Sequence, residues 1–145
     1  MRLPMRLRDI PTRLATGGYI LHAGLEKWHG SPEQATAVHG MAAGAYPFLR
    51  GLAPTTFLRA LAAGEIATGA ALLTPTVPNR LAGTALTGFA SALLTMYLRT
   101  SALHKPGSIW PTTAGTGISK DVWMLGIGLG LLSDKSNPTT SAGSR

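Results

Sequence analysis

The sequence contains no cysteine among its 145 residues. This absence excludes disulfide bonds, thiolate nucleophiles, cysteine-ligated metals and iron–sulfur clusters. Any redox role would therefore need a cofactor from outside the chain.

Charged residues are also scarce. They make up 13% of the chain, whereas apolar residues reach 45%, and the charged share is about half of that in soluble globular proteins. Too little charge remains to cover a water-facing surface, so the composition indicates a membrane protein. The net charge of +7 does not indicate a nucleic-acid partner, because the basic residues are scattered apart from an N-terminal group: Arg2, Arg6, Arg8 and Arg13.

Apolar segments separated by turn signals predict an all-α fold, an integral membrane bundle of four transmembrane helices. The predicted spans are 10–28, 54–74, 81–98 and 118–132, with a short interfacial helix, 33–46, between the first and second. The first span has few apolar residues, so we expect Arg13 and Lys27 to extend towards the two interfaces. The membrane domain is then 1–132, followed by a disordered polar tail, 133–145.

Local signals refine this prediction. Ser31 and Pro32 are typical of an N-cap and a first helical residue. The prolines and glycines of segment 100–117 exclude regular helix through much of it. Trp28, Trp110 and Trp123 near the span ends predict an aromatic belt, although Trp110 could instead cap a pocket. The basic N-terminus places both termini in the cytoplasm.

Glu65 lies at the midpoint of the second predicted span. An ionised carboxylate there would cost about 2.5 to 3.5 kcal/mol on insertion scales, so it must be paired, protonated or in a polar cavity. Candidate partners are His22, Lys27 and Lys120. Two interpretations stay open: a buried ion pair that fixes helix packing, or a ligand or proton site.

Further polar residues complete a candidate site around Glu65: Glu26, Lys27, His22, Lys120 and Asp121. Residues 26 and 29 form one Glu-x-x-His pair, the kind found in di-iron helical bundles. Such a centre needs two copies, and only one is present, so we predict a polar patch and no metal.

Two small-residue steps predict close helix contacts. Gly126 and Gly130 form a G-x-x-x-G step, and Ala60 and Gly64 form a similar one. Such steps pack helices within one molecule or in a homo-oligomer.

Six strings spread over most of the chain match a family pattern: PTRLATGG at 11–18, LEKW at 25–28, HGMAAGAYPFL at 39–49, AGEIA at 63–67, NRLAG at 79–83 and KDVWMLG at 120–126. They resemble the DoxX-like membrane proteins of bacteria, particularly the actinobacterial members. The resemblance implies a four-helix protein of the bacterial inner membrane. The strings have no assigned catalytic role, so no catalytic residue is carried over.

Some DoxX-like proteins are subunits of a thiosulfate:quinone oxidoreductase, and others are thought to assemble with secreted or membrane redox proteins. The leading hypothesis is thus a membrane subunit or accessory partner of a redox or envelope complex. In this hypothesis Glu65 holds a proton or hydrogen-bonds the head group of a quinone, which is the candidate cofactor. One alternative is a quinone-reactive oxidoreductase subunit in its own right. Another is a small-solute transporter, which four short helices without an internal repeat disfavour.

Overall fold

The computed structural model describes residues 5–134, and this part of the chain is helical and has no β-strand. The helices are α1 (Ile10–Trp28), α2 (Pro32–Ala45), α3 (Pro54–Leu73), α4 (Asn79–Arg99), the single turn α5 (Thr116–Ser119) and α6 (Asp121–Leu132). The predicted all-α class is confirmed. The predicted tail lies outside the described residues except for Ser133 and Asp134.

Prolines and one cap determine where the helices start and stop. The Ser31 hydroxyl accepts a hydrogen bond from the amide of Gln34 at 3.2 Å, and Pro32 is the first residue of α2, which confirms the predicted cap. A backbone hydrogen bond and the Ser31 hydroxyl lower the pKa of Glu33 below its ordinary value, so its charge stays at the helix N-terminus, where the helix dipole favours it. The helix α3 ends two residues before Pro75, and α4 begins directly after Pro78.

The helices associate in two close pairs, α1 along α3 and α4 along α6. Glycines permit this approach. A Cβ at Gly69 would lie 2.7 Å from the Leu21 amide nitrogen, and one at Gly83 would lie 2.9 Å from the Gly128 carbonyl oxygen. Neither position has room for a side chain, so these glycines set the spacing within each pair.

The close contacts involve different glycines from those predicted. A Cβ added at Gly64, Gly126 or Gly130 would meet nothing within 4 Å, whereas one at Gly128 would lie 2.9 Å from the Thr87 amide nitrogen. Within the described monomer, the glycines of the two predicted steps therefore form no close helix contact, whereas Gly128, which lies between Gly126 and Gly130, does.

The two pairs meet more loosely than the helices inside each pair. At one end of the bundle a buried cluster closes the gap between them: Ile20, Leu72, Ala82, Leu86 and Leu131. At the other end α2 packs across α3 and α4 and buries its alanine side chains, among them Ala35 and Ala42. The space between the pairs is left beneath α2.

In the described part of the chain, α3 and α4 are long and apolar enough to cross a membrane, with mean hydropathies of 1.3 and 1.4. The helix α1 carries Arg13, Glu26 and Lys27, and α6 has only 12 residues. The predicted spans 10–28 and 118–132 therefore stay predictions, as does the interfacial position of α2.

Candidate functional site

A cavity of about 600 Å³ lies between the two helix pairs beneath α2. This volume is within the range of pockets that bind small molecules. Tyr19 and Phe48 line it and are also 73% and 80% exposed, so the cavity reaches the outer surface. Most of its walls are apolar and come from all the longer helices, including Ile20, Met41, Phe57, Phe89, Leu93 and Met124.

Three charged side chains interrupt these apolar walls: Lys27 from the last turn of α1, Glu65 from the middle of α3 and Asp121 from the first position of α6. The Lys27 Nζ lies 3.1 Å from the Glu65 Oε1, and the Glu65 side chain is only 7% exposed. Asp121 lies within electrostatic range of both. The arrangement is thus a lysine–glutamate ion pair with a second carboxyl group nearby.

Gly24 explains why Lys27 is the partner of Glu65. A Cβ at Gly24 would lie 3.0 Å from both the Ala62 carbonyl oxygen and the Glu65 Cβ, so α1 touches α3 at this point. Lys27 follows one helical turn later and its side chain reaches the carboxylate. Lys27 therefore extends into the molecule, which corrects the prediction that it reaches outwards to an interface.

Two carboxyl groups of the site have oxygens for which no hydrogen-bond donor is seen among the described residues. The Glu65 Oε2 is buried and has no hydrogen-bond partner in the described part of the chain. Among residues 5–134, no hydrogen bond or ion pair to the Asp121 carboxylate is seen. Leaving a buried acceptor without a partner costs roughly 1 to 3 kcal/mol. The site therefore contains a buried carboxylate oxygen that no described residue satisfies.

The remaining predicted site residues lie elsewhere. His22 and Glu26 face each other at 3.5 Å on the outside of α1, where their side chains are 72% and 68% exposed. Lys120 is exposed. Trp110 is 71% exposed and is not in the cavity wall, so the pocket-cap alternative finds no support. The structure brings together Lys27, Glu65 and Asp121 alone among the six.

Arg13 on the first helix lies in the interior, contrary to expectation. We expected it to reach an interface, and this prediction is wrong, because the side chain is fully buried. Its Nε donates to the Leu72 carbonyl at 2.8 Å, and its two terminal nitrogens donate to four further oxygens: those of Ala71, Thr74, Val77 and the Asn79 side chain. These carbonyls belong mostly to the end of α3, where helical partners run out.

Asn79 extends this network into what we call the terminal cluster: Asp9, Arg13, Asn79 and Asp134. The Asn79 amide nitrogen donates to Asp9 at 2.7 Å and to Asp134 at 2.9 Å, and Arg6 pairs with Asp134 at 2.9 Å. The cluster joins the start of α1, the turn from α3 to α4 and the end of α6. Two sequence features could have indicated this cluster. One is an arginine within the first predicted span, and the other is a helix end that is followed by prolines.

The terminal cluster and the cavity lie at opposite ends of the bundle. The cluster holds three chain segments together at one end, and the last turn of α1 and the start of α6 border the cavity at the other. The cluster thus holds the far ends of the helices that carry the site, while the close contact at Gly24 positions Lys27 beside Glu65.

Comparison of the chain with protein-family models, with curated proteins and with solved structures gave no match. The DoxX resemblance accordingly stays a resemblance carried by the six strings of the sequence.

Proposed function

We propose that this chain is a small multi-pass protein of the bacterial inner membrane, of DoxX type, which holds a membrane-soluble amphiphile in the cavity beneath α2. In this proposal it serves as the membrane subunit or accessory partner of a redox or envelope complex. The observation that carries the proposal is the convergence of Lys27, Glu65 and Asp121 in an apolar cavity.

The membrane location is supported by the outer surface as well as by α3 and α4. Large apolar side chains on α1, α4 and α6 face outwards: Tyr19, Leu81, Leu98, Trp123 and Leu129 are between 48% and 73% exposed. Exposing such an apolar surface to water is unfavourable, whereas contact with the lipid tails of a membrane carries no such free-energy cost. We propose that α1 and α6 complete four spans, and that the basic N-terminus keeps both termini in the cytoplasm.

The ligand site is supported by the cavity itself. An ion pair that serves only to fix helix packing needs neither an apolar space of about 600 Å³ beside it nor a second carboxylate. A ligand with an apolar body and a polar head group accounts for both, because the body fills the walls and the head meets the charges. Quinone-like molecules have this form and dissolve in membranes.

The proposal is tested by purifying the full chain from its native membrane in mild detergent and identifying bound lipids, quinones and polypeptides by mass spectrometry. We expect a stoichiometric amphiphile in the native protein. Glu65→Gln should lower its retention at least tenfold while the bundle stays folded. The matched control is Glu26→Gln, the same change on the exposed face of α1, which should retain the ligand fully.

Two results would count against the proposal. If no amphiphile is bound to the native protein, the cavity is not its site. If Glu65→Gln retains the ligand as well as the native chain does and alters only thermal stability, the Lys27–Glu65 pair is structural. Defined partner polypeptides in the same sample would identify the complex.

A further inference from the structure

We infer that the head group of the ligand is uncharged and carries a hydroxyl group, which bridges Lys27 on α1 and Asp121 on α6. The two anchoring side chains thus belong to different helix pairs. This inference rests on the proposed function and specifies the chemistry of the same site.

The first anchor is Lys27, which has donors to spare. An ammonium group has three N–H donors. Within residues 5–134, the one side chain seen to pair with it is Glu65, whose Oε1 lies 3.1 Å away. Lys27 lines the cavity and its side chain is 24% exposed, so a ligand there can accept a hydrogen bond that Glu65 leaves free.

Glu65 acts on this ligand through Lys27. Its Oε2 is buried and closed off even from a water-sized group in the cavity, and its Oε1 is already paired with Lys27. Glu65 is therefore a positioning residue, which compensates the charge of Lys27 and fixes the place of the ammonium group.

The second anchor is Asp121, at the first position of α6. It lines the same cavity, and no hydrogen bond or ion pair to its carboxyl group is seen among the described residues. A hydroxyl group donates to this carboxyl group when Asp121 is ionised and accepts from it when Asp121 is protonated. The contact therefore forms in either state of Asp121.

The charges of the cavity wall disfavour an ionised head group. Lys27 and Glu65 compensate each other, so the wall is neutral when Asp121 is protonated and negative when it is ionised. A carboxylate or phosphate would add an uncompensated charge among apolar walls. An ammonium group would meet Lys27, which has the same sign, and could accept no hydrogen bond from it. A hydroxyl group avoids both penalties.

The test uses four radiolabelled probes with matched chains: dodecanol, tridecane, dodecanoate and dodecylamine. Tridecane has a methyl group in place of the hydroxyl, and the last two probes carry charges of opposite sign at neutral pH. Binding is measured to the full chain in phosphatidylcholine nanodiscs, and empty nanodiscs correct for partition into lipid. We expect dodecanol to bind at least about tenfold more tightly than each of the others, the value of one hydrogen bond to a charged group.

Variants assign the preference to its residues. Asp121→Leu should reduce the preference for dodecanol over tridecane to about threefold or less, because one hydrogen bond is lost. Asp121→Asn should keep this preference, since an amide both donates and accepts. Glu26→Leu, on the exposed face of α1, is the matched control and should change no affinity.

Glu65→Gln tests the positioning role. It should remove the preference for dodecanol over dodecanoate, because Lys27 loses its counter-ion and can then pair with the carboxylate of the probe. A purely structural role would weaken the binding of both probes equally, and this result would contradict the role assigned to Glu65.

The inference is wrong, although a ligand site exists, if tridecane, dodecanoate or dodecylamine binds the native chain as tightly as dodecanol. An unchanged preference in Asp121→Leu would place the head group away from Asp121 and would also overturn it. If none of the four probes binds, the inference fails together with the proposed function.

Discussion

A single arginine shows how a charge becomes part of the interior. Arg13 is completely buried, yet each of its guanidinium nitrogens has a hydrogen-bond partner, and most of the acceptors are carbonyls at the end of α3. Two of these carbonyls, those of Ala71 and Leu72, lie in the last turn of the helix, where backbone donors run out. Burial of this charge is tolerated because the planar guanidinium group donates hydrogen bonds to several acceptors at once.

We therefore expect Arg13→Lys to destabilise the protein although the charge is kept. A lysine has three donors, so at least two of the five hydrogen bonds of Arg13 are lost, at a cost of about 2 to 4 kcal/mol. The measurement is the unfolding midpoint in detergent. Arg80→Lys, on the exposed start of α4, is the control and should change it little. Equal stability of both variants would show that the network contributes nothing.

At the scale of the helices, glycine positions matter more than glycine content. On α3, Gly69 lies against the backbone of α1, while Gly64 faces open space one and a half turns earlier. Both residues look alike in the sequence. The difference arises because a helix presents one face to its partner, and five residues move the side chain to another face.

This contrast gives a matched pair of variants on one helix. Gly69→Ala places a Cβ within 3 Å of the Leu21 amide and the Gly17 carbonyl, and neither backbone atom can rotate away. We expect a loss of roughly 1 to 3 kcal/mol from the forced separation of α1 and α3. Gly64→Ala meets nothing within 4 Å and should be neutral or slightly stabilising. Thermal denaturation of both variants decides the point, and equal melting temperatures would contradict it.

At the scale of the whole molecule, the bundle is closed at one end and hollow at the other. The terminal cluster and the buried cluster around Leu86 close one end. Beneath α2 at the other end, the two helix pairs stand apart and leave the cavity. The closed end thus holds together the helices that border the cavity at the other end.

The proposed membrane topology places these two ends on opposite sides of the bilayer, and the absence of cysteine makes this directly testable. Thr76→Cys on the turn from α3 to α4 and Thr113→Cys in the loop before α5 each introduce the only thiol. An impermeant maleimide should label Thr113→Cys in intact cells and Thr76→Cys only after permeabilisation. Labelling of both from the same side would overturn the four-span topology.

Several features were determined by the sequence alone. Scarce charge, proline positions and apolar run lengths determined the helical class and the helix ends, because these are local properties of the backbone and its solvent. The Ser31 cap is one such case. The need of Glu65 for a partner was evident for the same reason, since a carboxylate in an apolar run is costly wherever its partner lies.

Only the tertiary structure decided which residues meet. It selected Lys27 from three candidate partners, placed the predicted Asp121 in the same cavity, left His22, Glu26 and Lys120 outside, and buried Arg13. It also decided which glycines touch another helix. The physical reason is that these outcomes depend on the rotation and spacing of helices far apart in the chain, which close backbone contacts at Gly24, Gly69 and Gly83 determine and no local pattern specifies.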